Sequence, residues 1–73
     1  MKALPTVQQG STGTYVRSVQ GLCNARLPAA PELLIDGAFG PLTHGAVVKV
    51  QVAAGVPANG IVDHVTWPKL MAV

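Results

Sequence analysis

The sequence predicts an all-α fold: a small three-helix bundle with an internal pseudo-repeat and long ordered loops. Three observations carry that expectation. Apolar residues recur at helical spacing in short stretches that Gly and Pro bound on either side. A turn-plus-helix pattern occurs twice, with Asp36-Gly37-Ala38-Phe39-Gly40-Pro41-Leu42-Thr43 aligning with Asn59-Gly60-Ile61-Val62-Asp63-His64-Val65-Thr66 at an offset of 23. And 73 residues, 49% of them hydrophobic, suffice for one core and no more, so residues 1–73 are expected to form one domain with its core at about 5–71.

Along the chain, Pro5 to Gly13 reads as an extended lead-in and turn. Val16, Val19, Cys23 and Leu27 then fall on one helical face, which predicts a first helix over about Thr14 to Arg26 with Gly13 or a neighbouring hydroxyl as its cap. Arg17 and Gln20 are expected to face water. Pro28 and Pro31 end this helix and open a loop through Glu32. Leu33-Leu34-Ile35 is an apolar run that either pairs briefly as a strand or simply packs. Asp36-Gly37 makes a turn in which Gly37 supplies a positive φ. Gly40-Pro41 is the clearest helix start in the chain, because Pro41 at the first helical position forfeits no hydrogen bond. Leu42, Ala46, Val50 and Ala53/Ala54 form the predicted inward stripe of the second helix, with Val47 beside it, and Gly55 and Pro57 stop it. Asn59-Gly60 repeats the turn. A final short helix is expected to bury Trp67 and Leu70, with Met71 as a further candidate. Its start is expected late, with Thr66 as cap, so that Pro68 falls in the first turn. A second echo pairs Val16-Arg17-Ser18-Val19-Gln20 with Val47-Val48-Lys49-Val50-Gln51.

Composition narrows the function. Charged residues make up 11% of the chain, against roughly 25% in an average soluble domain. Five basic and three acidic residues leave +2, and no two basic residues adjoin, which argues against a nucleic-acid partner. Mean hydropathy is +0.41, yet no apolar run approaches the roughly 18 residues of a membrane span, so no membrane partner is expected. The segment Met1-Lys2-Ala3-Leu4-Pro5 lacks a signal-peptide apolar stretch, leaving a cytoplasmic chain or a mature or excised module of something larger. Cys23 has no partner for an internal disulfide. No acid/base pair, triad or phosphate loop is present, and no catalytic residue is expected.

The series Gly10-Ser11-x-Gly13-x-x-Val16-Arg17-x-Val19-Gln20-x-x-Cys23-Asn24 resembles the opening of the peptidoglycan-binding domain family, where a G-S-x-G turn precedes V-x-x-L-Q-x-x-L-N. The stretch Ile35-Asp36-Gly37-x-Phe39-Gly40-Pro41-x-Thr43-x-x-Ala46-Val47 is similar to its central signature, V-D-G-x-F-G-P-x-T-x-x-A-V. Val50-Gln51, Asn59-Gly60-Ile61-Val62 and Thr66-Trp67-x-x-Leu70 follow in the family's order. The resemblance implies a non-catalytic module that anchors a cell-wall hydrolase, transpeptidase or lysin to peptidoglycan. It also implies an extracellular or cell-wall location, a tethered catalytic domain in the parent protein, a monomer and no cofactor. Departures are Cys23 for leucine, Val50 for an aromatic residue, Asn59 for aspartate and Asp63-His64 for Gly-Pro, which leave the last block the most diverged. An alternative keeps the fold and changes the partner. The three-helix fold also resembles the pro-segment of matrix metalloproteinases, which implies a module packing on an enzyme domain, although no P-R-C-G-x-P-D stretch is present.

Candidate ligand-binding residues are Tyr15, Arg17, Gln20, Asp36, Thr43 and Gln51. Tyr15 lies off the core-facing stripe of the first helix. Arg17 suits a stem-peptide carboxylate. Gln20 and Gln51, at equivalent places in the two echoes, are read as a solvated helix face or as amides that meet sugars, N-acetyl groups and peptide stems. Asp36 and Thr43 bond turn and helix-end backbone, or line a groove. The structural motif residues are Gly13, Gly37, Phe39, Gly40, Pro41, Gly60, Thr66 and Trp67, with Phe39 and Trp67 as core anchors rather than sugar platforms. His44, Asp63 and His64 do not assemble a zinc set with Cys23, which is expected to be a buried small hydrophobe.

Overall fold

The computed structural model describes residues 4–29 and 31–71; the ends of the expected domain, 1–3 and 72–73, lie outside them. Its helices are α1 (Thr14–Arg26), α2 (Pro41–Ala54) and α3 (Thr66–Met71). The first two coincide with the spans expected from apolar spacing and the Gly/Pro boundaries. All three pack on one another around a single core. Val16, Val19 and Cys23 enter it from α1, Val47 and Val50 from α2, and Trp67 and Leu70 from α3. Val7, Phe39 and Val62 come from the connecting segments.

Among the described residues, extended pairing is confined to two isolated antiparallel bridges, Val7 with Val62 and Thr12 with Ala38. Through them the lead-in is laced to both copies of the repeated turn. Val7 and Val62 exchange N–H···O bonds of 3.0 and 2.8 Å, while Phe39 N–H donates to Ser11 O and Gly13 N–H to Gly37 O. Side chains hold the lead-in and α3: Trp67 Nε1 donates to Pro5 O at 2.8 Å, and Arg26 Nε at the end of α1 donates to Leu70 O. The second of these satisfies a carbonyl at the end of α3 that has no partner within the helix.

The helix ends follow from sequence, with one exception. Gly13 caps α1 without a side-chain bond. At the end of α2, Val56 N–H reaches Gln51 O around a left-handed Gly55, a Schellman closure. At α3 the capping side chain is not Thr66 but Asp63, whose Oδ1 accepts from Val65 and Thr66 N–H. Thr66 is instead the first helical residue, and its hydroxyl points into the protein.

Leu33-Leu34-Ile35 forms no strand. Asn24 at the inner edge of α1 acts as its pairing partner, accepting from Leu33 N–H at 2.7 Å and donating to Leu33 O at 3.1 Å. One side chain thus clamps the loop that leads to the first repeated turn. Only Leu33 tucks in, while Leu34 is 77% exposed.

The inward face of α2 also differs from the expected stripe. Its buried residues are Thr43, Val47, Val50 and Gln51, and Leu42 is 82% exposed. Reading apolar residues as inward rotates this helix wrongly, because two of its inward positions are polar and have their hydrogen bonds met inside. Met71, a further candidate for the core, is exposed.

Candidate functional site

The polar residues of the two repeats form one device built twice. Gln20 and Gln51 are 1% and 0% exposed, which corrects the expectation of a solvated face. In the first half Gln20 Oε1 accepts from Gly37 N–H at 3.0 Å. Gln20 Nε2 faces Asp36 Oδ1, Ala38 O and Thr43 Oγ1 at 3.0–3.1 Å. In the second half Gln51 Oε1 accepts from Gly60 N–H at 2.9 Å, and its Nε2 faces Asn59 Oδ1, Ile61 O and Thr66 Oγ1 at 3.0–3.1 Å. Asp36 and Asn59 each also accept from the N–H two residues on, of Ala38 and Ile61. Such Asx turns are what these residues favour. Every buried side-chain nitrogen and oxygen among the described residues has a partner, as buried amides require.

The glycine in each turn is fixed by this geometry. Gly37 and Gly60 have φ of 75° and 74°, where a Cβ is unfavourable. Each also lies under a side chain. A Cβ on Gly37 would sit 3.1 Å from Arg17 Nε, and one on Gly60 would overlap the His44 imidazole.

Over each device lies a surface cleft. The first, about 210 Å³, is bounded by Leu34, Asp36, Gly40, Leu42 and Thr43. The second, about 50 Å³, is bounded by Pro57, Asn59, Asp63, Val65 and Thr66, the same five positions displaced by 23 residues. A larger open groove of about 560 Å³ runs between α1 and α3 and includes Tyr15, Arg17, Ser18 and Trp67, with Leu4 and Met71 at its edges. Tyr15, 47% exposed, meets Trp67 edge to face with ring centroids 6.4 Å apart.

The six candidate ligand residues therefore separate. Tyr15 and Arg17, both exposed, share the large groove. Asp36 edges the first cleft and precedes Gly37, against which the Arg17 side chain lies. Gln20 and Thr43 form that cleft's buried floor, and Gln51 lies in the other half. Composition gave no sign of Leu34 and Leu42, the two most exposed large apolar residues described, as walls of the first cleft; only their exposure reveals it.

Two titrations are displaced. The Asp36 carboxyl is held below its ordinary value, first by the Ala38 N–H and then by the Gln20 amide, with Arg17 adding a small contribution. Burial pushes the Cys23 thiol up to about 11, leaving it protonated and inert. Among the described residues no three His, Cys, Asp or Glu side chains converge as a metal set would, and no helix is long and apolar enough to cross a membrane.

The duplicated device spans most of the chain, and so does a family model described as "Putative peptidoglycan binding domain", which matches residues 12–70. The chain belongs to the peptidoglycan-binding domain family. A zinc D-Ala-D-Ala carboxypeptidase of Streptomyces albus G is 38% identical over 65 residues, covering 89% of this chain and 26% of that protein. An uncharacterised protein of Kitasatospora aureofaciens is 39% identical over 67 residues, covering 90% of this chain and 55% of that one. The chain thus spans between about a quarter and about half of these curated relatives. Among solved structures, a Burkholderia AP3 phage endolysin superposes with a TM-score of 0.83 at 34% identity, covering 93% of this chain and 25% of the endolysin. A peptidoglycan-binding protein from Clostridioides difficile, solved in complex with glutamine hydroxamate, gives 0.82 at 30% identity, covering 96% of this chain and 42% of that one. The peptidoglycan-binding domain is a non-catalytic module, found in these relatives within longer proteins.

Proposed function

We propose that this peptidoglycan-binding domain is the wall anchor of a cell-wall hydrolase or lysin, and that it meets the wall through the surface running from Tyr15 across Arg17 to Asp36. One observation carries the placement. Once the buried Gln20, Thr43 and Gln51 are set aside, Tyr15, Arg17 and Asp36 are the candidate residues left exposed; Tyr15 and Arg17 share one groove, and Arg17 lies against Gly37, next to Asp36. An aromatic edge, a cation and a carboxylate suit a polymer of sugars and charged peptides. Gln20 and Thr43 support that surface from beneath, Gln51 braces the other half, and none of the three touches ligand in this reading.

The module acts as a monomer tethered to a catalytic domain and works at the cell wall; nucleic acid, membrane and cofactor have no part. A wall presents one weak epitope many times, so modest affinity suffices when tethering raises the effective concentration of the attached enzyme. Co-sedimentation with purified insoluble peptidoglycan tests the reading. The domain is expected in the pellet well above a same-size control, and recovery equal to that control refutes it.

A further inference from the structure

The internal duplication allows the needs of the fold to be subtracted from the surface. The second device works with a neutral amide: Asn59 Oδ1 accepts from Gln51 Nε2 and from Ile61 N–H, as Asp36 Oδ1 accepts from Gln20 Nε2 and Ala38 N–H. The negative charge of Asp36 is therefore not a folding requirement. Its second oxygen accepts no hydrogen bond from a described residue, at the edge of an open cleft.

The same subtraction applies to Arg17. Its counterpart in the second half, 31 residues on, is Val48. Arg17 is exposed, lies across Gly37, and donates no side-chain hydrogen bond to a described residue. The first half thus carries an exposed cation and an exposed anion beside one glycine, where the second half has Asn59 for the anion, Val48 at the helix register of the cation and the His44 imidazole over the glycine. The clefts differ in the same sense. Pro57 and Val65 leave about 50 Å³ in the second, whereas the exposed Leu34 and Leu42 bound about 210 Å³ in the first.

We propose that this ridge binds a zwitterionic α-amino-acid head group, Arg17 taking its carboxylate and Asp36 its ammonium, with Leu34 and Leu42 against the aliphatic stem. In a wall peptide that chemistry belongs to a diamino-dicarboxylic acid residue with one amino-acid centre free, and not to a lysine, which offers the ammonium alone. The proposal rests on the wall-binding reading and narrows it from the polymer to one peptide group.

The test titrates the domain by NMR with two tripeptides, L-Ala-γ-D-Glu-meso-diaminopimelate and its lysine analogue, and in parallel measures co-sedimentation with walls of each chemotype. The diaminopimelate peptide is expected to bind about ten-fold more tightly, the size of one charge-assisted hydrogen bond, and to shift the amides around Arg17 and Gly37. Asp36→Asn and Arg17→Val, each copying the second half, are expected to lose that preference while keeping wild-type circular dichroism. Co-sedimentation with both wall types, with equal binding of the two peptides and unaffected variants, overturns the head-group site and leaves the wall-binding reading intact. Free meso-diaminopimelate separates the two sources of the same chemistry. Shifts from it at Arg17 and Gly37 support the site, and such shifts with no sedimentation on either wall overturn the wall-binding reading alone. Absence of binding to walls, peptides and free amino acid overturns both.

Discussion

Replacing Gln51 probes the device on which both halves depend. The side chain is fully buried, takes the Gly60 N–H on Oε1 and presents Nε2 to three acceptors. Gln51→Leu keeps the approximate volume and removes every one of these bonds. The Gly60 N–H then loses its only side-chain acceptor, and the Ile61 carbonyl keeps only a long bond from Thr66 Oγ1 at 3.4 Å. Each buried group left unpaired costs about 1–3 kcal/mol, so two of them cost about 2–6 kcal/mol. A chain of 73 residues has a total stability of roughly 4–11 kcal/mol at the usual 0.05–0.15 kcal/mol per residue. The variant is therefore expected to lose a large share of its stability, with Tm falling by at least about 8 °C at 4–8 °C per kcal/mol. Thermal and urea melts followed by circular dichroism read this directly.

Gln51→Glu adds a signature that lost packing alone cannot mimic. Its carboxylate still accepts from Gly60 but sets a second oxygen against Asn59 Oδ1, Ile61 O and Thr66 Oγ1. That arrangement favours the protonated acid, whose O–H replaces one lost donor, so the folded-state pKa rises above the unfolded value of about 4.3. With a raised carboxyl pKa the penalty is absent below the unfolded value and grows as pH climbs toward the folded one. The variant is thus expected to be more stable at pH 4 than at pH 7. A pH-independent Tm for Gln51→Glu, or a loss under about 1 kcal/mol for Gln51→Leu, would refute the role given to this amide.

Three further outcomes follow from the same geometry. Gly60→Ala is expected to cost more than Gly37→Ala: both force a Cβ into a left-handed turn at about 1–2 kcal/mol, but the first also displaces the His44 ring. A urea-melt double-mutant cycle with His44→Ala recovers that excess if the reasoning holds. Asn59→Asp is expected to leave Tm nearly unchanged at neutral pH, because Asp36 already makes the equivalent bonds; a drop beyond a few degrees would show that the halves are not interchangeable here. The depressed pKa of Asp36 contributes stability that is present above the ordinary aspartate range and lost as pH falls through the lowered folded value. Wild-type Tm is therefore expected to fall on acidification, and Asp36→Asn to fall less; identical acid profiles would contradict this.

The helices and their boundaries were legible because local chemistry decides them. Pro41 can only begin α2, Gly55 only end it, and Val16, Val19 and Cys23 share a face at any helical register. The doubled Asx-Gly turn was equally plain, since its requirement for a positive φ is met by particular residue types. The turn marked by Asp36 and Gly37 thus revealed one edge of the candidate surface before any coordinate did. Burial of Gln20 and Gln51 was not legible. A glutamine faces water unless partners are supplied, and its partners here lie 16 to 23 residues away on the chain for Gln20 and 8 to 15 for Gln51. The same ignorance turned α2 the wrong way and placed Leu42 inside. By itself the sequence determined which segments are helical, where they stop, and that one unit is used twice. Only tertiary structure decided which side chains each unit consumes, because satisfying a buried amide takes groups from several segments at once. Exposed Arg17 and the second carboxylate oxygen of Asp36 are what remained when those needs were met.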